Sequence, residues 1–151
     1  MHKLELRQEI AYGLENLERV YSNIAITMQA TVDQRIKLAA LAYDCSGYYN
    51  AVEHLMIRII KYLRYSAPSG PASHKETIKL FRQIAPPLTN SDSPFDVIER
   101  LMAFRHVATK IYSFLLDWNK LQSILDDIMQ SHELIKQFIN ETVDRLPETS
   151  P

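Results

Sequence analysis

With 151 residues, 46% hydrophobic and 23% charged, the chain has the size and composition of one domain with one core, which excludes a wholly disordered polypeptide. Its formal net charge of −1 provides no global basic field, so contact with nucleic acid or a membrane surface would need a local patch. One cysteine, Cys45, cannot form an internal disulfide, no charge-free apolar run approaches the ~18 residues of a membrane span, and MHKLELRQEI lacks a signal-peptide core. The expectation is a cytoplasmic protein with no membrane contact.

Only 3 glycines occur, and the 7 prolines are mostly clustered, so the long segments between them read as helices. The first runs from about Leu4 to Ala30, where Ile10, Leu14, Leu17, Tyr21, Ile24 and Met28 recur in steps of four and three. Thr31 or Asp33 caps the next helix. That second helix runs from about Gln34 to Tyr65, with Leu38, Leu41, Cys45, Tyr48, Val52, Leu55, Ile59 and Leu63 in one stripe. Its MIRIIKYLRY stretch has strand-like composition, but the stripe passes through it unbroken. Gly47 is either a site of close helix approach or simply tolerated.

SAPSGPAS at 66–73 is a loop, since two prolines and a glycine forbid regular structure there. A short helix comes next over about His74–Ile84, with Ser73 as N-cap and Glu76 completing a capping box. APPLTNSDSP is a second loop, ending with Ser93 as N-cap and Pro94 in the first helical position. The fourth helix carries Val97, Ile98, Leu101, Met102 and Phe104, and continues towards Trp118. The last runs from about Trp118 to Leu146. The expected architecture is an all-α, up-and-down bundle of four to five helices over residues 1–146, with 147–151 as a frayed tail.

Several chemical motifs fail. His132-Glu133 opens like a zinc-protease helix motif, but Lys136 stands where the second histidine belongs. His2, His54, His74 and His106 lack metal-ligand spacing. There is no P-loop, dinucleotide fingerprint or G-x-S-x-G turn, so no metal or cofactor is expected. Cys45 lies in the apolar stripe and reads as a buried structural thiol. Tyr43, Tyr48, Tyr49, Tyr62 and Tyr65 have helical spacing and read as core or interface residues rather than a base-stacking platform.

Phe104–Trp118 stands apart. Arg105, His106, Lys110 and Tyr112 fall within eight residues of an otherwise apolar helix. At about 100° per residue, Arg105 and Tyr112 share a face while Lys110 lies about 140° from Arg105. Two readings stay open. One is a cationic helix end, with Lys110 favouring the dipole and Arg105 paired to Asp117 or Glu99. The other is a composite site assembled where two copies of this helix face each other.

The run FRHVATKIYSFLLDWNKL resembles the signature of HepT-like proteins, a branch of the HEPN-domain families. Phe104, Arg105, His106, Tyr112, Leu116, Asp117 and Trp118 match that signature in type and spacing. YYNAVEHLMIRII resembles the family's aromatic-x-x-x-glutamate segment, with Glu53 as the acid, and His74 opens a short helix where the family often has one. The resemblance implies a HEPN-like helical bundle, usually a homodimer with both arginine motifs facing one cleft. It implies a metal-independent RNA-cleaving toxin partnered by a nucleotidyltransferase antitoxin, which in some pairs attaches AMP to the motif tyrosine, here Tyr112.

The family's catalytic histidine falls on Lys110. Metal-free RNA cleavage needs a base for the 2′-hydroxyl and an acid for the leaving oxygen. Histidine, with a pKa of about 6.5, suits both, whereas lysine at about 10.4 is a poor base at neutral pH. The expected site is therefore Arg105 with Lys110 or His106, with Arg105 and Lys110 as RNA contacts. The leading expectation is a component that docks a nucleotidyltransferase, RNA or both, with weakened or lost nuclease activity. An active ribonuclease and a plain helical interaction module are the alternatives.

Overall fold

The computed structural model describes residues 1–85, 94–110 and 117–151. Among these residues five helices succeed one another: α1 (Lys3–Gln29), α2 (Gln34–Tyr62), α3 (Ser73–Ile84), α4 (Pro94–Thr109) and α5 (Trp118–Asp144). Among the described residues there is no strand beyond an isolated antiparallel bridge between His2 and Thr149. The all-α bundle expected from the apolar periodicity is what forms, with MIRIIKYLRY helical as far as Tyr62.

α1 buries Leu6, Ile10, Leu17 and Ile24 along one face, and α2 returns antiparallel beside it. The direction is fixed by the contacts: Glu9 reaches Arg58, Gly13 abuts Leu55, and Glu18 and Tyr21 both reach His132, the partner of Tyr48. α2 packs on all four other helices and carries the largest buried set, among them Tyr48, Tyr49, Leu55, Met56 and Ile59. Phe81 of α3, Phe95 of α4 and Phe138 of α5 close the core with tilted and edge-on ring contacts, centroids 5.2 to 6.0 Å apart.

Asp33, not Thr31, caps α2, its Oδ1 accepting from the Arg35 and Ile36 amides at 2.9 and 3.4 Å. α2 ends at Tyr62 rather than Tyr65. Arg64 adopts φ 69°, and the Tyr65 amide bonds back to the Ile60 carbonyl, a Schellman closure that usually uses glycine. Without a glycine there, the sequence carries no visible stop. Ser73 is the first residue of α3 and not its N-cap: Ala72 takes that position, without a side-chain bond, and the capping box does not form. Pro94 does open α4, while the expected Ser93 cap lies outside the described residues.

Residues 147–150, expected to fray, are tied down. The Lys3 amide bonds the Glu148 carbonyl at 2.8 Å, the Ser150 amide bonds the Met1 carbonyl at 2.9 Å, and the Tyr62 hydroxyl donates to the Pro147 carbonyl. Lys3 is buried, its Nζ donating to the Asp144 and Leu146 carbonyls at 2.9 and 2.8 Å. An ammonium there satisfies the open carbonyls at the C-terminal end of α5 and suits its dipole.

The glycines of α1 and α2 differ in their surroundings. A Cβ on Gly13 would lie 2.5 Å from Leu55 Cδ2, whereas one on Gly47 would meet nothing within 4 Å. Gly13 is thus where α1 and α2 approach closely, and Gly47 is tolerated. Gly47→Ala should raise stability by about 0.5–1 kcal/mol in urea denaturation, from helix propensity alone. Gly13→Ala should instead cost about 1–3 kcal/mol through overpacking; equal gains at both positions would contradict this packing.

Candidate RNA-contact site

Three residues on one side of α2 start the site. Tyr49 and Glu53 are one turn apart, and Asn50 lies beside them. α3 brings His74 against Glu53, and α4 brings Arg105 across both. Tyr49 OH donates to Glu53 Oε2 at 2.7 Å, and His74 Nδ1 lies 2.5 Å from the same oxygen. Arg105 Nε donates to Asn50 Oδ1 at 2.7 Å, and its Nη1 lies 3.2 Å from His74 Nε2.

Hydrogen-bond logic assigns the tautomer of His74. A guanidinium has only donors, so Nε2 must accept from Arg105. Nδ1 therefore carries the hydrogen and donates it to Glu53. Glu53 in turn accepts from both Tyr49 and His74. Burial, reinforced by the bond to Glu53, pushes the Tyr49 hydroxyl well above the ordinary phenol range, which keeps it a donor. The Tyr49 ring meets the His74 ring edge-on, with centroids 6.0 Å apart. The Glu53 side chain is 12% exposed and that of His74 35%, so the carboxylate is covered while the imidazole reaches the surface.

Of the residues singled out in sequence, Arg105 lies at the centre. His106 and Lys110 are exposed, and no hydrogen bond joins either of them to the Arg105 cluster among the described residues. Lys110 comes directly after the last residue of α4. Tyr112 lies outside the described residues. The expected carboxylate partners of Arg105 are engaged elsewhere: Glu99 pairs with Arg82 at 2.9 Å, and Asp117 caps α5 by accepting from the Lys120 amide at 2.8 Å. Asn50 was not singled out from the sequence, and His74 only as the start of a helix. The legible traces of the site were Arg105 in its motif and the Tyr49–Glu53 spacing.

A family model described as HepT-like protein matches residues 40–146, which take in Tyr49, Asn50, Glu53, His74 and Arg105. The chain belongs to the HepT-like protein family. Its five-helix bundle is the HEPN-like fold expected of that family. No curated protein and no solved structure matches the chain. No helix among the described residues is long and apolar enough to cross a membrane.

The HepT-like bundle holds a second polar network, between α1, α2 and α5. His132 is buried at 1% exposure, with Nε2 2.5 Å from Glu18 Oε2 and Nδ1 2.8 Å from Tyr48 OH. The carboxylate of Glu18 only accepts, so Nε2 donates to it and Nδ1 accepts from Tyr48. Tyr21 stacks on the imidazole, centroids 3.8 Å apart. Glu18, His132 and Glu133 offer three ligand atoms within 4.8 Å of one another, the third coming from a helix that the local His132-Glu133 pattern does not include. Lys136 Nζ lies 3.1 Å from Glu18 and 3.2 Å from Glu133, so an ammonium already supplies positive charge between the carboxylates. Cys45 is fully buried, and burial, with the Asp44 charge adding to it, pushes its thiol up to about 12, which makes it inert as a nucleophile.

The His132 hydrogen bond, and after it Lys136, hold the Glu18 carboxyl below the usual carboxylate range. A lowered folded-state value stabilises fully above that range, and the contribution is lost as pH falls through the folded value. Glu18→Gln should therefore lower stability at neutral pH and flatten the loss of stability on acidification, read from urea midpoints across the acidic range. Tyr48→Phe should cost about 1–3 kcal/mol at neutral pH by leaving His132 Nδ1 buried without a donor.

Proposed function

We propose that this HepT-like chain is the HEPN component of a toxin–antitoxin pair, working in the cytoplasm as a homodimer that takes RNA phosphate on Arg105 and docks a nucleotidyltransferase. The observation that carries the reading is the state of Arg105. Its guanidinium is half-buried, yet its hydrogen-bond partners among the described residues are the Asn50 amide oxygen and the accepting nitrogen of His74 rather than a carboxylate. By contrast Arg7, Arg58, Arg82 and Arg100 each sit on a carboxylate. A positioned guanidinium with no direct carboxylate contact among the described residues suits the fork geometry of a phosphate.

Lys110, at the exposed end of α4, adds a second cation for the RNA backbone. With lysine in place of the family histidine, and with His106 exposed and not hydrogen-bonded to Arg105 among the described residues, cleavage through the Arg105–Tyr112 motif alone is weakened or lost. Support for the homodimer comes from a groove of about 340 Å³ beside the end of α4, where Leu38, Ala39, Ala42, Tyr43 and Ala108 lie with Arg35, Ser46 and Thr109. Tyr43 is 79% exposed and Ile36 59%, both costly to leave in water. Tyr112 is the expected acceptor of AMP from the partner.

Fluorescence anisotropy with a labelled single-stranded RNA tests the phosphate contact. Arg105→Ala should weaken binding by roughly 10- to 100-fold, as removal of a charge-assisted contact does, and should make the salt dependence shallower by about one phosphate equivalent. Unchanged affinity would reject the reading. Tyr43→Glu should shift the protein towards monomer in light scattering, and intact mass after co-expression with a nucleotidyltransferase encoded beside it should show AMP that Tyr112→Phe lacks.

A further inference from the structure

We propose that His74 is the general base of this HepT-like chain, taking the 2′-hydroxyl proton of a bound RNA strand on Nε2. The inference rests on the reading of Arg105 as a phosphate contact and deepens it. It assigns the proton acceptor to a histidine of α3, on a different helix from Arg105.

Four observations converge on His74. Its Nε2 is the accepting nitrogen, because the group facing it is a guanidinium that can only donate. The opposite nitrogen is held by Glu53, which Tyr49 holds in turn. A base oriented by a carboxylate is the arrangement that keeps an imidazole in the correct tautomer and steadies the imidazolium formed on proton transfer. The imidazole also reaches solvent, at 35% side-chain exposure, while the carboxylate behind it is covered. Finally, the accepting nitrogen lies 3.2 Å from Arg105 Nη1, so phosphate held by that guanidinium brings the adjoining ribose to Nε2. His106 and Lys110 are both exposed, and neither is hydrogen-bonded to Arg105 among the described residues.

The reaction balances with RNA and water alone. On binding, Arg105 turns its N–H from Nε2 to a phosphate oxygen, freeing the nitrogen's lone pair. The 2′-hydroxyl gives its proton to His74 Nε2, the 2′-oxygen forms a bond to phosphorus, and the bond from phosphorus to the 5′-oxygen breaks. The leaving oxygen takes a proton from water, and His74 later returns its proton to solvent. The products are a 2′,3′-cyclic phosphate and a 5′-hydroxyl. A DNA strand has the phosphate but no 2′-hydroxyl, so it binds without being cut. Glu53 is a positioning residue, since it acts through His74.

The test incubates the purified chain, in chelator, with total tRNA and with a labelled mixed-sequence oligoribonucleotide and its DNA counterpart. RNA should be cut to cyclic-phosphate ends and DNA left intact. His74→Ala should lower the cleavage rate about 10²- to 10⁴-fold, the usual contribution of a general base, and added imidazole should restore part of it. His74→Gln, which keeps a polar side chain against Arg105 and Glu53, should be as slow, with its thermal unfolding checked alongside. Glu53→Gln should lower the rate less than His74→Ala, and His54→Ala, on an exposed face of α2, should cleave like the unaltered chain. Cleavage by His74→Ala at the unaltered rate would overturn the proposal. So would absence of RNA cleavage while Arg105-dependent binding persists, which would leave the phosphate contact standing. Loss of Arg105 dependence from binding itself would instead remove the underlying reading.

Discussion

Tyr48 and Tyr49 are neighbours on α2, both fully buried, and each carries a hydroxyl into the core that must be paired there. The helix turn between them sends the two rings to different sides. Tyr48 donates to His132, which donates to Glu18, linking α2 to α5 and α1. Tyr49 donates to Glu53, which also holds His74 of α3 and, through it, Arg105 of α4. All five helices are thus joined by two polar networks rooted in adjacent residues. No buried side-chain polar atom among the described residues lacks a partner.

The networks have the same grammar and different exposure. Each runs from tyrosine and histidine to a glutamate, with a cation nearby. In the network of α1 and α5 the imidazole is sealed at 1% exposure, and Lys136 lies on Glu18 itself. With the imidazole sealed and the carboxylate held by an ammonium, that arrangement reads as a fastening. In the network of α3 and α4 the imidazole reaches the surface, and the cation, Arg105, sits on the imidazole and the Asn50 amide rather than on the carboxylate. On the proposed reading, Arg105 offers its charge to an anion, and the accepting nitrogen of His74 is freed for a proton once Arg105 turns to that anion.

Much of this architecture was legible in the sequence because apolar periodicity is a local property. The stripes on α1, α2 and α5 located the helices to within a few residues, and a strand-like composition did not mislead where the stripe continued. The misplaced boundaries are those set by backbone geometry: Arg64 in a left-handed turn without glycine, and Ala72 as a cap without a side-chain bond. The site was legible only in part. Arg105 and Glu53 could be marked by motif and spacing, but Asn50 and His74 join them through contacts between separate helices, with 55 and 31 residues separating each from Arg105. The same holds for Glu18, which meets His132 across 114 residues. Spacing along one helix carries no record of such meetings. The family match over residues 40–146 spans the Arg105 cluster but leaves out Glu18 and the rest of α1.

The central claim is that Arg105 and His74 act on RNA as one unit. It is tested most directly by nitrogen-15 NMR of the histidine rings and arginine side chains, before and after addition of an RNA made uncleavable by a 2′-deoxy substitution at each ribose that could react. The account predicts that free His74 carries its hydrogen on Nδ1 and accepts on Nε2. On binding, the His74 and Arg105 signals should shift together while the buried His132 stays where it was. A His74 ring with its hydrogen on Nε2, or RNA binding that leaves both signals unmoved, would contradict it.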